Sequence, residues 1–282
     1  MKADLLLDAR AELGEGPVWD PRIGLVWWVD ILRGRVNGLD LDGAARPPIE
    51  VGEAVGCVAL AESGGLVAAT TSGFRRVDAA TGHPLLAAVD HGADDVRMND
   101  GKADPAGRFV AGSMAFSERP GAGTLWSLDG GRVRALVAGV TISNGLAWSE
   151  DGEILYYVDT PTGRIDAFDY DAETGGVSGR RSVVSIPESA GSPDGMTIDS
   201  EGGLWIALWG GGAVHRYHEG RLDAVVEVPA PLVTCPAFAG PDGATLVITT
   251  ASIGLDGPGP ESGAVYALRP GVAGRPEPLV RV

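Results

Sequence analysis

Short apolar stretches alternate with turn-forming residues along the whole chain, and one arrangement of them occurs six times. In each copy an apolar strand is followed by a turn rich in Asp, Pro and Gly, and then by a second apolar strand. The second strands begin at Leu25, Leu66, Phe109, Leu155, Leu204 and Leu246, at spacings of 41, 43, 46, 49 and 42 residues. Internal repeats of this period are typical of solenoids, propellers and arrays.

Each copy has room for four strands. Third strands are expected at segments such as RVNGLD (35–40) and AVYALR (264–269), and fourth strands at segments such as RSVVSIP (181–187) and LDAVVEVP (222–229). A small sheet cannot bury both of its faces alone, whereas six sheets stacked around an axis cover one another and leave short edges. The pattern therefore predicts an all-β fold, a six-bladed β-propeller with four-stranded antiparallel blades. An open pair of sandwiched sheets is the alternative, but it does not account for six evenly spaced units.

The repeats fill the chain, so we expect a single domain over residues 1–282. The inner strand pairs are expected near residues 17–29, 57–70, 102–113, 145–159, 195–208 and 236–250. Residues 3–13 precede the first repeat and have no unit of their own. We expect them to add an outer strand to the last blade and so to close the ring.

Composition supports this fold and limits the partners. The 43 Gly and 19 Pro residues disfavour long helices. The formal net charge of −16 repels phosphate backbones and anionic lipid, so we expect neither a nucleic-acid nor a membrane partner. Cys57 and Cys235 are too few for a disulfide framework or a four-thiolate zinc site, and the N-terminus lacks the apolar segment of a signal peptide. We predict a cytoplasmic protein that is a monomer or a weak homo-oligomer.

The repeat allows equivalent positions near one mouth of the central channel to be compared. Counting back ten or eleven residues from each second strand gives Glu15, Gly56, Asn99, Asn144, Asp194 and Cys235 or Pro236. Four of these positions carry oxygen-bearing side chains, each beside a glycine or an Asp-Gly pair. Asn-Gly and Asp-Gly are ordinary turn dipeptides when taken singly. Four oxygen donors at matched positions of separate blades instead predict a hard-cation site with open positions for water or substrate.

The expected cofactor is one divalent metal ion. Ca²⁺ is the first choice because the donors are oxygens, and Zn²⁺, Mg²⁺, Mn²⁺ and Fe²⁺ are the alternatives. Other catalytic signatures are absent from the sequence: there is no G-x-S-x-G elbow, no phosphate-binding G-x-x-x-x-G-K-[ST], no complete G-x-G-x-x-G and no H-E-x-x-H.

Longer segments carry a resemblance that covers nearly the whole chain in order. They are GEGPVWD (14–20), RMNDGKADPAGRFVAGSM (97–114), ISNGLAWSEDGEILYYVDT (142–160), FDYDAETGGVSGRRSV (168–183), SPDGMTIDSEGGLWIAL (192–208) and CPAFAGPDGATLVITTA (235–251). In these segments the chain resembles the senescence marker protein 30 (regucalcin) and gluconolactonase family. The resemblance implies a six-bladed propeller that holds a divalent metal in its channel and hydrolyses sugar lactones. It assigns the metal ligands to Glu15, Asn144 and Asp194.

The resemblance also implies which residues contact the substrate. The substrate-binding Arg and Asn of the family correspond to Arg97 and Asn99, although the resemblance also allows Asn99 a water-mediated contact with the metal. A further acidic contact of some members falls in the segment after GSM, which reads AFSERPGAG here. The aligned position is Ser117, and Glu118 stands beside it, so both are candidates for substrate binding.

We therefore predict a metal-dependent hydrolase that converts a sugar lactone to the aldonic acid by polarisation of the lactone carbonyl and attack of water. Asp194 is the candidate acceptor of the proton from that water. Two alternatives stay open: a phosphotriesterase or other ester hydrolase on the same propeller, and a non-enzymatic Ca²⁺-binding propeller. Gluconolactone, xylonolactone, arabinolactone and galactonolactone differ in hydroxyl stereochemistry or by one carbon, which these motifs do not distinguish.

Overall fold

Six antiparallel sheets of four strands each form the blades of a propeller in the computed structural model, which describes residues 1–78 and 80–282. The predicted fold class is confirmed. Within those residues the helical elements are two 3₁₀ turns, Thr160–Thr162 and Glu188–Ala190, and no helix is long and apolar enough to cross a membrane.

The strands follow one another from the axis outwards in each blade. The first blade contains β2 (Gly14–Asp20), β3 (Leu25–Asp30), β4 (Arg35–Leu39) and β5 (Ile49–Glu50). The second contains β6 (Val55–Leu60), β7 (Leu66–Thr70), β8 (Gly73–Val77) and β9 (Leu85–Ala88). The third contains β10 (Val96–Ala103), β11 (Phe109–Ala115), β12 (Gly123–Asp129) and β13 (Arg132–Val140). The fourth contains β14 (Ser143–Trp148), β15 (Ile154–Asp159), β16 (Arg164–Asp171) and β17 (Gly176–Ser185).

The last two blades complete the ring. The fifth contains β18 (Ser192–Ile198), β19 (Leu204–Trp209), β20 (Ala213–His218) and β21 (Arg221–Glu227). The sixth contains β22 (Val233–Ala239), β23 (Thr245–Thr250), β24 (Val265–Leu268) and, outermost, β1 (Asp4–Leu7). Strand β1 pairs antiparallel with β24, so the sixth blade joins both ends of the repeat region. Each innermost strand contacts the innermost strands of both neighbouring blades.

Neighbouring blades cover both faces of the inner strands. Strands β7 and β11 are therefore buried along their whole length, whereas the outermost strand β13 is mainly exposed or half-buried. Aromatic side chains fill the wedges between blades. Trp205 of the fifth blade meets Phe238 of the sixth edge-to-face, with ring centroids 5.9 Å apart. This two-sided burial explains why the inner strands are apolar at consecutive positions rather than at alternate ones.

Buried aspartates form the turns where several innermost strands end, on what we call the lower face of the propeller. In the fifth blade the Oδ1 atom of Asp199 accepts hydrogen bonds from the backbone amides of Glu201 and Gly203. Its Oδ2 atom accepts from Arg216 Nε at 2.7 Å and from Trp205 Nε1 at 2.8 Å. Burial alone would raise the pKa of Asp199, but the hydrogen bonds from Arg216 and Trp205 outweigh it and hold the pKa below the ordinary 3.8.

Because the native pKa of Asp199 is lowered, its contribution to stability is complete above pH 3.8 and is lost as the pH falls through the native pKa. We expect Asp199→Asn to lower the free energy of unfolding at pH 7 by about 2 kcal/mol, the size of a charge-assisted hydrogen bond. Denaturant unfolding should show that the difference in the free energy of unfolding between Asp199→Asn and the wild-type protein becomes smaller below pH 3.8. The control is Asp242→Asn in the corresponding turn of the sixth blade, where the ion pair with Arg269 is exposed and the stability should not change. An equal loss in both variants would contradict the assignment.

Every innermost strand carries a register shift at the same level, near its beginning. The shifts lie between Glu15 and Val18, Val55 and Cys57, Met98 and Gly101, Asn144 and Leu146, Pro193 and Met196, and Val233 and Cys235. Such a bulge lets strand pairing continue past extra residues and re-aims their side chains. The innermost strands consequently begin two to six residues before the expected positions, most clearly at Val96 rather than residue 102. The compared positions thus lie within the innermost strands and not just before them.

Glycines at this level allow adjacent innermost strands to approach closely. A Cβ atom on Gly145 would lie 2.7 Å from Met196 Cβ and 2.8 Å from the carbonyl oxygen of Asp194. A Cβ atom on Gly56 would lie 2.5 Å from the carbonyl oxygen of Asn99. The second blade therefore has no room for a side chain at the position equivalent to Glu15. Close packing between the innermost strands therefore requires these glycines.

We expect Gly145→Ala to lower the free energy of unfolding by roughly 1–3 kcal/mol, because the added methyl group overpacks the contact between two innermost strands. The control is Gly176→Ala on an outer strand, where the nearest atom to the added Cβ is Thr174 Oγ1 at 3.2 Å and the expected change is small. Thermal and denaturant unfolding of both variants measures the difference. Wild-type stability in Gly145→Ala would show that the strands can separate without cost.

Residues 270–282, which we call the C-terminal strap, cross the lower face. The carbonyl oxygen of Ala273 accepts from the amide of Ser200, and the amide of Val280 donates to Leu60 at 2.8 Å. The amide of Arg281 donates to Gly107. The strap therefore ties the sixth blade to the fifth, third and second blades. Its residues Glu277 and Pro278 line the lower part of the channel, so the strap covers that end.

Candidate metal centre and active site

A pocket of about 410 Å³ opens at the other end of the channel, the upper face, where the innermost strands begin. Its lining includes six of the seven residues that the sequence singled out: Glu15, Arg97, Asn99, Glu118, Asn144 and Asp194. The side chains at the four repeat-matched positions are 4–6% exposed. Residues separated by up to 179 positions in the sequence thus meet at one point on the propeller axis. We refer to this cavity as the upper pocket.

Two carboxylates lie next to each other at the base of the upper pocket. Burial raises the pKa of Glu15 well above its usual range, and the neighbouring Asp194 carboxylate adds to the rise. Burial likewise raises the pKa of Asp194, with Asp100 as the next cause. Two like charges out of contact with water are unfavourable unless a cation neutralises them. The base of the pocket is therefore a place where a bound cation would be stabilised.

A chain of hydrogen bonds orients the amide side chains. Asn99 Nδ2 donates to the carbonyl oxygen of Ser143 and to Asn144 Oδ1, both at 2.9 Å. Asn144 Nδ2 donates to Thr160 Oγ1 at 2.8 Å, and that hydroxyl donates to the carbonyl oxygen of Pro193. Because Ser143 and Pro193 offer only acceptors, the orientation of each amide is determined. The oxygen of Asn144 consequently points towards Asn99 and away from Thr160.

Arg97 brings a positive charge to the wall of the upper pocket. Its Nη1 atom donates to Asn99 Oδ1 at 2.6 Å and to the carbonyl oxygen of Met98 at 3.0 Å. Its guanidinium lies 5.6 Å from the ring centroid of Phe116, within the range of a cation–π contact. Burial lowers the pKa of Arg97 to about 10, although Glu15 and Asp194 oppose the shift. The group therefore stays charged at neutral pH and is held firmly in place.

Ser117 and Glu118 occupy different places, although they are neighbours in the sequence. The hydroxyl of Ser117 donates to Asp95 Oδ2 at 3.0 Å in an exposed cluster that also contains Arg119, and Ser117 does not line the pocket. Glu118 has a φ angle of 55°, in the left-handed region that favours glycine, and it does line the pocket. A substrate contact by Ser117 stays a prediction that this placement does not favour.

Below the candidate ligands lies a charged group that the sequence comparison did not single out. Burial raises the pKa of Asp100 to about 6, although Lys102 opposes the shift. Burial would lower the pKa of Lys102, but Glu277 of the C-terminal strap, 3.3 Å away, outweighs it and raises the value to about 12. One signal was available in the sequence: Lys102 is one of only two lysines in the chain and lies two positions from an aspartate. Glu277 lies outside the repeats, so the sequence contained no comparable signal for it.

The donors at the base of the upper pocket fit a hard divalent cation. Glu15 and Asp194 supply carboxylate oxygens, and the determined orientation of Asn144 supplies an amide oxygen. Among residues 1–78 and 80–282 no group of three His, Cys, Asp or Glu side chains is arranged to hold a metal, so an oxygen set here depends on the amide. Cys57 and Cys235 are buried free thiols whose pKa values burial raises, which disfavours thiolate ligation.

Known proteins are similar to this chain over most of its length. The family model described as "SMP-30/Gluconolactonase/LRE-like region" matches residues 13–252. Regucalcin of Danio rerio is 36% identical over 278 residues, which cover 95% of this chain and 94% of that protein. The crystal structure of a calcium-binding protein, regucalcin, from Agrobacterium tumefaciens has a TM-score of 0.93 and 34% identity, covering 100% of this chain and 98% of that one.

A gluconolactonase structure from Xanthomonas campestris shares the fold, with a TM-score of 0.77 and 24% identity over 94% of this chain and 88% of that one. The range matched by the family model, residues 13–252, contains the segments at residues 14–20, 97–114, 142–160 and 192–208 that carry the predicted resemblance. The predicted resemblance is thereby confirmed, and the chain belongs to the SMP-30/gluconolactonase/LRE-like family.

Proposed function

We propose that this protein is a divalent-metal-dependent lactonase that hydrolyses a sugar lactone to the aldonic acid. Membership of the family supports a lactonase on a propeller. The observation that carries the finer proposal is the pair of buried carboxylates, Glu15 and Asp194, beside the oriented oxygen of Asn144 and the guanidinium of Arg97. A neutral, oxygen-rich ring suits such a pocket because it can meet both a cation and hydrogen-bonding side chains.

Glu15, Asn144 and Asp194 would hold the metal, with Ca²⁺ as the expected ion. When bound, the ion supplies Lewis-acid polarisation of the lactone carbonyl and stabilisation of the developing oxyanion. Glu15 contributes negative charge at the base, and the amide of its neighbour Gly16 fixes one carboxylate oxygen through a hydrogen bond of 2.9 Å. By accepting a hydrogen bond from Asn144 Nδ2, Thr160 keeps the oxygen of Asn144 on the side of Asn99.

Arg97 and Asn99 would bind and orient the hydroxyl groups of the substrate. The Arg97 fork is a planar set of donors that can meet two oxygens at once. Asn99 couples that fork to Asn144, so a hydroxyl held by Arg97 is placed with respect to the candidate ligands. Glu118 offers an acceptor on the same side of the pocket. Asp194 would accept the proton of the attacking water, because its carboxylate lies at the base of the pocket beside the other candidate ligands, Glu15 and Asn144.

Non-enzymatic calcium binding is a second candidate. The structure from Agrobacterium tumefaciens is that of a calcium-binding protein, and the carboxylate pair would serve such a role equally well. The two candidates differ in turnover and not in affinity for the ion.

Cys57 and Cys235 are unpaired buried thiols, which suits our proposal that the protein acts in the reducing cytoplasm.

Substitution of Asp194 separates the two candidates. Asp194→Asn keeps the size and one oxygen but removes a charge and a proton acceptor. We expect the metal to bind at raised concentration, because Glu15 and Asn144 remain, while kcat stays lower by about 10²–10⁴-fold at saturating metal. Mass spectrometry of bound metal and acid release from gluconolactone measure the two properties. Asn144→Ala should instead weaken metal binding and regain turnover as metal is added.

Full recovery of kcat in Asp194→Asn at saturating metal would show that Asp194 is a ligand only and that another group activates water. Hydrolysis of no lactone by the wild-type protein, supplied in turn with Ca²⁺, Mg²⁺, Mn²⁺, Fe²⁺ and Zn²⁺, would favour the binding protein.

Substitution of Arg97 tests the substrate contact. Arg97→Ala should leave the metal content intact and lower kcat/KM for the best sugar lactone by roughly 10–100-fold, the value of a charge-assisted hydrogen bond. The control is Arg119→Ala, since Arg119 is an exposed arginine near the same mouth that pairs with Asp95. Unchanged kinetics in Arg97→Ala, or an equal loss in both variants, would refute the role.

A further inference from the structure

The side chains directly above the candidate metal ligands differ from one blade to the next. Side chains two residues apart on an extended strand lie on the same face. The positions two residues before Glu15, Asn99, Asn144 and Asp194 are therefore the next ones towards the mouth, and all four line the upper pocket: Leu13, Arg97, Ile142 and Ser192. Only one of them is charged, and two are aliphatic.

The apolar character extends along one side of the pocket. Leu32, Trp209 and Ile253, which lie after β3, at the end of β19 and after β23, join Leu13 in the lining. These four residues, the apolar wall, belong to one cluster that continues into the core. Backbone hydrogen bonds hold the wall in place: the amide of Ala251 donates to Leu232, and the amide of Ile253 donates to Glu12.

The opposite side of the pocket comes mainly from the third blade, where polar side chains stand beside Met114 and Phe116. Arg97, Asn99 and Glu118 lie there, while Glu15 and Asp194 lie at the base between the two sides. A polyhydroxylated ring presents hydroxyl groups around its whole periphery. Those that meet the apolar wall would lose hydrogen bonds to water without replacing them. A ring with a hydrocarbon substituent would bring apolar surface to the same wall.

We propose that the upper pocket takes lactones that carry an alkyl or aryl substituent, with the ring ester at the carboxylate pair and the substituent against the apolar wall. This inference rests on the proposed lactonase function and names a further substrate class for the same site. In the reaction the acyl–oxygen bond of the ring breaks, the oxygen of water becomes part of the new carboxylate, and the ring oxygen leaves as a hydroxyl group after it takes a proton. The product is a hydroxy acid.

The test compares lactones that differ only in the substituent. The probes are δ-valerolactone, δ-hexalactone and δ-decalactone, with D-glucono-δ-lactone as the sugar reference, each assayed by acid release with CaCl₂ added. Burial of one methylene corresponds to about a fourfold gain. We therefore expect kcat/KM to rise at least tenfold from δ-valerolactone to δ-decalactone. Ile253→Thr and Leu32→Asn should flatten this rise, whereas Ile23→Ser, at an exposed residue of the lower face, should leave it unchanged.

Binding supplies a readout that does not depend on turnover. Lactams are hydrolysed far less readily than lactones, so the dissociation constants of δ-valerolactam and its 6-pentyl derivative can be compared by calorimetry on the wild-type protein. The pentyl compound should bind at least tenfold more tightly, and Ile253→Thr should reduce the difference. A wild-type kcat/KM that is flat or falls along the alkyl series, with gluconolactone still hydrolysed, would overturn this inference and leave the proposed function standing. Hydrolysis of no lactone at all would overturn both.

Discussion

The burial of Glu15 beside Asp194 on the propeller axis is the constraint on which the rest of the upper pocket depends. Two adjacent carboxylates away from water are costly, and the nearest permanent cation, Arg97, is displaced to one side. The hydrogen-bond chain from Arg97 through Asn99 to Asn144 therefore holds two neutral amide groups beside a negative charge that Arg97 alone does not balance. A divalent ion would complete this arrangement.

The repeated strands and the bulges in the innermost strands make different contributions to the structure. The repeated strands supply a closed ring whose inner strands are covered on both faces, so the scaffold tolerates different residues at equivalent positions. The bulge at the same level of all six innermost strands then directs those positions towards the axis. The second blade contributes no side chain at the matched position, which is Gly56, because the backbone of the third blade occupies the space that a side chain would need. An asymmetric chemical site can therefore form inside a nearly symmetric fold.

Periodicity was sufficient to predict the number of blades, and comparison of repeats was sufficient to bring Glu15, Asn99, Asn144 and Asp194 together. Features that depend on local geometry were not predictable in this way. The early start of β10 at Val96 results from its bulge, and the placement of Glu118 rather than Ser117 in the pocket results from one left-handed residue. Comparison of the repeats did not single out Asp100 and Lys102, because Glu277, the partner of Lys102, lies in the C-terminal strap, whose residues follow no repeat.

The C-terminal strap narrows the lower end of the channel. Glu277 and Pro278 line a cavity there of about 10 Å³, which has room for one water molecule but not for a lactone ring. A lactone that enters from the upper face is therefore expected to leave by the same route. For the proposed reaction the entering lactone is neutral and the departing acid is an anion. The net charge of −16 therefore leaves arrival unaffected and opposes the return of the product. An acidic surface above a cavity that is narrow at its lower end therefore favours release of the anionic product over its rebinding.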